Sequence, residues 1–242
     1  MAQQLQNITI AAPGFFGLNT QDSPVGLNPS FASIADNCVI DQYGRVGARQ
    51  GYTEVTTNGA SVLGSSVGIE MIHQHRDSDG NVAVLSAGNN KIFVGSTTLA
   101  DKTPASYTIT ANNWKAVNLG DHSYLFQRGY EPLVYSAHPT VPGQSIEPMS
   151  GHPHATGTPP EGNEVLAAFG RLWVADFATD KSTIYWSDLP AAGPDGTAWS
   201  GGSSGSIDVS EFWPTGYDEI TALAVHNGYL VIFGKNSILI YD

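Results

Sequence analysis

Val165-Leu166-Ala167-Ala168-Phe169-Gly170-Arg171-Leu172-Trp173-Val174, set against Ala222-Leu223-Ala224-Val225-His226-Asn227-Gly228-Tyr229-Leu230-Val231, is the pair of stretches on which the fold turns. Each has an apolar run rich in small residues, a break holding glycine, and a second apolar run with an aromatic residue. Asn227-Gly228 between two such runs is the strongest short hairpin signal in the chain, because both central positions of a type I′ turn need positive φ. The two stretches read as copies of one β-hairpin.

The design recurs upstream in degenerate form. Val82-Ala83-Val84-Leu85, Tyr124-Leu125-Phe126, Leu172-Trp173-Val174 and Leu230-Val231-Ile232-Phe233 each lead into a polar or glycine-containing turn and then an apolar-aromatic pair. Those pairs are Ile92-Phe93, Val134-Tyr135, Ile184-Tyr185 and Ile240-Tyr241, spaced 42, 50 and 56 residues apart. One four-stranded propeller blade occupies about 40 to 50 residues. A small apolar strand precedes each unit: Met71-Ile72, Ala116-Val117, Leu166-Ala167-Ala168 and Ala222-Leu223-Ala224-Val225. Tyr107-Thr108-Ile109, Ile207-Asp208-Val209 and Val55-Thr56 are candidate outer strands, the last able to complete the final blade.

The fold class that follows is all-β: a β-propeller or partial propeller of about four blade-like units, preceded by an extended N-terminal arm with one short helix. Four blades is the lower limit for a closed propeller, so either the ring closes at four or the sequence is part of a longer chain. The boundary falls near Gly51, giving an arm or attachment segment at 1–51 and a propeller-like domain at 52–242. Asn28 as cap, Pro29 at the first helical position, and Phe31, Ile34 and Ala35 at helical spacing predict the helix near Pro29 to Asn37. Ala137 to Gly162 and Leu189 to Ser206 read as exposed loops between blades.

Composition removes several classes of function. The 242 residues include 27 Gly and 14 Pro but only 13% charged residues, a turn-rich chain with 41% hydrophobic residues to build a core. The 22 acidic residues outweigh 10 basic ones, for a net charge of -12, which argues against a sequence-reading nucleic-acid binder. Cys38 is the sole cysteine, so neither an intrachain disulfide nor a thiolate zinc cage is available. No apolar run reaches the roughly 18 residues of a membrane span, and Met1 to Pro13 lacks signal-peptide features. No membrane insertion is expected, and synthesis in the cytosol is.

Gly17-Leu18-Asn19-Thr20-Gln21-Asp22-Ser23-Pro24, then Ala35-Asp36-Asn37, then Tyr43-Gly44-Arg45-Val46 and Arg49-Gln50-Gly51-Tyr52, resembles the opening of bacteriophage virion structural proteins. It is similar to the β-propeller-bearing tail nozzle, or tail tubular protein B, of short-tailed phages, although those proteins are much longer. The resemblance implies a non-enzymatic virion component, localised to the tail and assembled in the host cytoplasm. Its partners would be further copies in a homo-oligomeric ring, a hexamer by resemblance, and other tail or adaptor proteins. DNA would pass through transiently and without sequence specificity, past an acidic wall that repels its phosphates. The arm, with Phe15-Phe16 and Phe31 available for burial, would dock on a neighbour.

Motifs with chemical potential are sparse, and no catalytic, cofactor-binding or metal residue is nominated. Gly64-Ser65-Ser66-Val67-Gly68 and Gly201-Gly202-Ser203-Ser204-Gly205 match the nucleophile-elbow pattern, but neither has the strand-before, helix-after context it needs. His73-Gln74-His75 and His152-Pro153-His154 each put two imidazoles on one strand face, short of the three or four ligands zinc takes. Asp77-Ser78-Asp79-Gly80-Asn81 begins like a calcium loop, yet position 88 is Gly where the motif needs Glu, and a hairpin turn is the better reading. Trp173, Tyr185, Trp186, Trp199, Trp213 and Tyr217 suit packing between blades or, in the alternative reading, the platform of a carbohydrate-binding propeller, as in a receptor-binding tail protein or lectin.

Overall fold

The computed structural model describes residues 16–51, 53, 55–58, 68–88, 90–105, 107–109, 113–136, 145–189, 196–214 and 216–241. Two compact units divide the chain, Met1–Glu54 and Val55–Asp242.

In the first unit, β1 (Gly17–Leu18) pairs in parallel with β2 (Phe31–Ala32), and β3 (Cys38–Ile40) pairs antiparallel with β4 (Val46–Ala48). The helix expected near Pro29 to Asn37 is replaced by this strand pairing. Asn28 closes a turn, its side-chain oxygen accepting the Ser30 N–H at 2.9 Å and its carbonyl accepting the Phe31 N–H at 2.9 Å. Phe31 then sits against Phe16, ring centroids 6.0 Å apart. A capping side chain serves a turn as readily as a helix, and without a following helical face the turn prevails.

The second unit is a series of antiparallel meanders. The first sheet comprises β5 (Met71–Arg76), β6 (Val82–Gly88), β7 (Lys91–Val94) and β8 (Ala100–Asp101). The second comprises β9 (Lys115–Leu119), β10 (His122–Gln127), β11 (Tyr130–Ser136) and β12 (Ser145–Pro148). The third comprises β13 (Glu164–Ala168), β14 (Arg171–Ala175), β15 (Thr183–Trp186) and β16 (Gly205–Asp208). Among the described residues the fourth has three strands, β17 (Ile220–His226), β18 (Tyr229–Gly234) and β19 (Ile238–Tyr241). Strands follow sequence order within every sheet, and all-β is the class. The four apolar-aromatic pairs found in the sequence lie in β7, β11, β15 and β19, the third strand of each sheet.

The sheets pack face to face through alternation of side chains along each strand. Met71, Leu85, Ile92 and Val94 of the first sheet meet Leu125, Leu133, Tyr135 and Ile146 of the second. The opposite face of the second sheet, with Tyr124, Phe126 and Val134, meets Val165, Leu172 and Val174 of the third. The other face of the third, with Trp173, Ala175 and Ile184, meets Leu223, Leu230 and Ile232 of the fourth. The second and third sheets thus have a proximal face toward the sheet before and a distal face toward the sheet after, and the fourth meets the third with its proximal face. The first strands are also neighbours in order, β5 to β9 to β13 to β17. Full burial of a side chain such as Leu172 contributes about 1.5–3 kcal/mol.

Four further sequence expectations are corrected. The hairpin copies align through their turns, so Gly170 matches Gly228 rather than Asn227; Phe169-Gly170 has φ of 54° and 71°, Asn227-Gly228 has 50° and 86°. Tyr107-Thr108-Ile109 is not a strand: the Tyr107 hydroxyl donates to the Glu131 carbonyl, Ile109 is buried, and Ala100–Asp101 takes the fourth place in its sheet. The segment Val55-Thr56 leads to the first sheet, not the last, since the Thr57 N–H donates to the Thr97 carbonyl at 2.6 Å and Asn58 brackets Leu99.

The two supposed loops contribute structure. Ala137 to Gly162 supplies β12 and the fully buried Met149, while Leu189 to Ser206 enters β16 at Gly205. They grip each other: Thr156 bridges Ala198, the Trp199 N–H donates to the Thr156 carbonyl at 2.7 Å, and the Trp199 indole lies 3.0 Å from Met149 Sδ. Burying Ile146 and Met149 outweighs leaving this segment in water.

Candidate functional site

Between the turn ends of the third and fourth sheets lies a cavity of about 350 Å³, lined by Phe169, Arg171, Trp173, Trp186, Leu230 and Tyr241. Trp173 and Trp186 are directly paired across β14 and β15, which sets their rings 5.3 Å apart. Their indole N–H groups point to backbone, Trp173 to the Ala168 carbonyl at 3.1 Å and Trp186 to the Ser203 carbonyl at 2.9 Å. Arg171 Nη1 also donates to the Ser203 carbonyl, at 2.8 Å. Asp188 accepts from the Ser203 hydroxyl and the Leu189 N–H; the Ser203 bond is the main reason its carboxyl titrates below the usual range. Phe169 stands edge-on to Trp173 at 6.2 Å and is 46% exposed, at the cavity lip. Flat apolar rings beside a guanidinium can stack against a sugar ring and hydrogen-bond its polar edge.

The aromatic platform of the sequence reading does not assemble as a whole. Trp173 and Trp186 come together, while Tyr185 packs on Phe177 at 5.1 Å and Trp213 is buried in the core. Trp199 holds Met149, and Tyr217 is exposed elsewhere. Phe169, Arg171 and Tyr241 were not singled out. Phe169 had a legible signal, a bulky residue at the turn position that Asn227 holds in the matching hairpin.

A second, polar cleft of about 480 Å³ opens where the second, third and fourth sheets meet. Four of the chain's 10 basic residues line it, each paired with a carboxylate. Lys115 meets Glu164 at 3.3 Å, Arg128 meets Asp176, Lys181 meets Asp176 at 2.6 Å, and Lys235 meets Glu219 at 2.7 Å. Glu164 also accepts the Leu223 N–H at 3.3 Å, so one carboxylate ties three sheets. Lys115–Glu164 and Arg128–Asp176 join sheets, the other two pairs lie within one, and the cleft offers no basic patch.

His75 is fully buried between the first and second sheets. Its Nδ1 lies 2.8 Å from Ser123 Oγ, which lies 2.5 Å from Asn118 Oδ1; His73 Nε2 reaches the same amide oxygen at 2.7 Å. The amide oxygen can only accept, so Ser123 and His73 both donate to it and His75 Nδ1 donates to Ser123. A serine beside a histidine here is intersheet packing, sealed from substrate.

His152 and His154 have ring centroids 5.8 Å apart, with His122 5.0 Å from His152. Among the described residues, no group of three or more His, Cys, Asp or Glu is arranged to hold a metal ion. Asp77 to Asn81 forms the hairpin turn, the Asn81 N–H donating to Asp77 Oδ1 at 2.7 Å. Gly201 to Gly205 is a turn that leads into β16, and residues 64–67 of the other Gly-Ser-Ser motif lie outside the described residues. Among the described residues, no helix is long and apolar enough to cross a membrane.

No protein-family model matches this chain, and no curated protein sequence matches it.

Proposed function

We propose that the chain is a structural component of a phage tail, a nozzle, tail-tube or neck element whose propeller-like sheets form part of the DNA-ejection conduit. The observation that carries this reading is the ordered neighbouring of β5, β9, β13 and β17, first strand against first strand. That is how blades gather about an axis. The resemblance of residues 17–52 to virion openings supplies the context. Copies join in a ring, a hexamer by resemblance, with the N-terminal unit docking on a neighbour or adaptor. The protein acts mechanically, not as an enzyme, and resides in the virion tail.

Sedimentation velocity of the full chain across a concentration range tests this. A single defined oligomer is the expected result; a monomer at every concentration contradicts it.

The groove beside Trp186 favours a second reading, a carbohydrate-binding propeller. Its test is glycan-array binding by the full chain and by Trp186→Ala; loss of a wild-type signal supports it, and no wild-type signal removes it.

A further inference from the structure

The inner hairpins of the second, third and fourth sheets carry charge at equivalent positions, and these positions converge on the polar cleft. Arg128, Asp176 and Lys235 each directly follow the second strand of their sheet, β10, β14 and β18. Lys115, Glu164 and Thr221 lie at the start of the first strands, β9, β13 and β17, which are neighbours in order. Three sheets thus bring these side chains to one cleft of about 480 Å³, the size of a small-molecule site.

Among the described lining residues only Ile220 is apolar. An apolar ligand would leave the polar groups desolvated without partners, so the cleft suits a molecule that hydrogen-bonds over its whole surface. Four cations against three carboxylates leave a net charge of +1 here, within a chain of -12. The cleft therefore draws an anion where the chain as a whole repels one.

Donors remain for that anion. An ammonium carries three N–H groups, and Lys115 and Lys235 each direct one to a carboxylate, at 3.3 Å and 2.7 Å, with their side chains 49% and 58% exposed. The carboxylates of Glu164 and Asp176 hold the cationic heads in place, so a ligand need not order long side chains. Asn163, on the wall, is 5% exposed; its N–H donates to the Ala175 carbonyl at 3.1 Å, and its side-chain oxygen has no partner in the chain. A ligand hydroxyl is the donor that satisfies such an acceptor.

We infer that this cleft binds a small polyhydroxylated anion, whose carboxylate or phosphate group meets Lys115, Arg128 and Lys235 while a hydroxyl donates to Asn163. The site lies within one chain and shares no described lining residue with the aromatic groove.

Isothermal titration of the full chain at fixed ionic strength tests this, with gluconate and glycerol phosphate as probes. Sorbitol, which has hydroxyls without charge, and sulfate, which has charge without hydroxyls, are the controls. One or both probes are expected to bind at a single site and the controls not to; the tighter probe identifies the anionic group. Lys235→Gln and Asn163→Ala are each expected to weaken that binding about tenfold, and Trp186→Ala to leave it unchanged. Circular dichroism checks folding; should Asn163→Ala fail to fold, Lys235→Gln, at an exposed position, decides alone. No binding by either probe, equal binding of sulfate or sorbitol, or indifference to Lys235→Gln overturns the inference. So does loss of binding in Trp186→Ala, which would move the ligand to the aromatic groove.

Discussion

Phe169 holds a φ of 54° in a turn where its counterpart is Asn227, at 50°. For a bulky residue the left-handed region costs about 1–2 kcal/mol, whereas its edge contact with Trp173 returns about 0.5–1.5 kcal/mol. Phe169→Asn is therefore expected to change stability by less than about 1 kcal/mol while stripping the lip from the aromatic groove. Unchanged melting with lost glycan binding supports a groove function; unchanged binding contradicts it. Gly234 is constrained in the opposite sense, by space: a Cβ there would lie 2.4 Å from Asp218 Oδ2. That carboxylate accepts the N–H groups of Glu219, Lys235 and Asn236, and although burial pushes its pKa up, these bonds prevail and lower it. Gly234→Ala is expected to cost about 1–3 kcal/mol in urea unfolding, and a neutral result contradicts the crowding.

His75 gives the pH dependence its sign. Burial lowers its pKa from 6.5, Asp77 pulls it back up, His73 lowers it and Asp121 raises it, with burial prevailing. The unfolded chain takes up the proton first, so stability is intact above about pH 6.5 and falls as pH drops through the folded value. Melting temperature is expected to decline below about pH 6.5, and His75→Gln, which keeps a donor to Ser123, to flatten that slope. A wild-type melting temperature that holds level down to about pH 5 contradicts this.

At the scale of elements, strands were legible where alternation and turn chemistry agree. Asn227-Gly228 and Asp77 to Asn81 mark hairpins that the backbone adopts, and the third strand of every sheet falls on its apolar-aromatic pair. The match between hairpins slipped by one residue because both runs are continuously apolar, and a one-residue slip exchanges the faces. Leu172 corresponds to Leu230 on the proximal face, so Leu172→Ala is expected to cost about 2–5 kcal/mol. Less than about 1 kcal/mol in denaturant unfolding contradicts that packing. Ser145–Pro148 escaped notice since a four-residue strand within a Pro- and Gly-rich segment leaves no period to detect. The groove was half legible: its tryptophans stand out in sequence, but only the register across β14 and β15 pairs them.

At the scale of the molecule, charge separates a conduit from a nucleic-acid binder. With a net charge of -12 and four of 10 basic residues bound to carboxylates in one cleft, duplex DNA is expected not to be retained in filter binding at low salt. Retention that falls steeply with salt contradicts a wall that lets DNA slide. The central claim, that these sheets gather about an axis and copies assemble around a conduit, is tested most directly by single-particle electron microscopy of the full chain. The account predicts rings with a central opening wide enough for a DNA duplex. Solitary particles at every concentration, or assemblies without an opening, would contradict it.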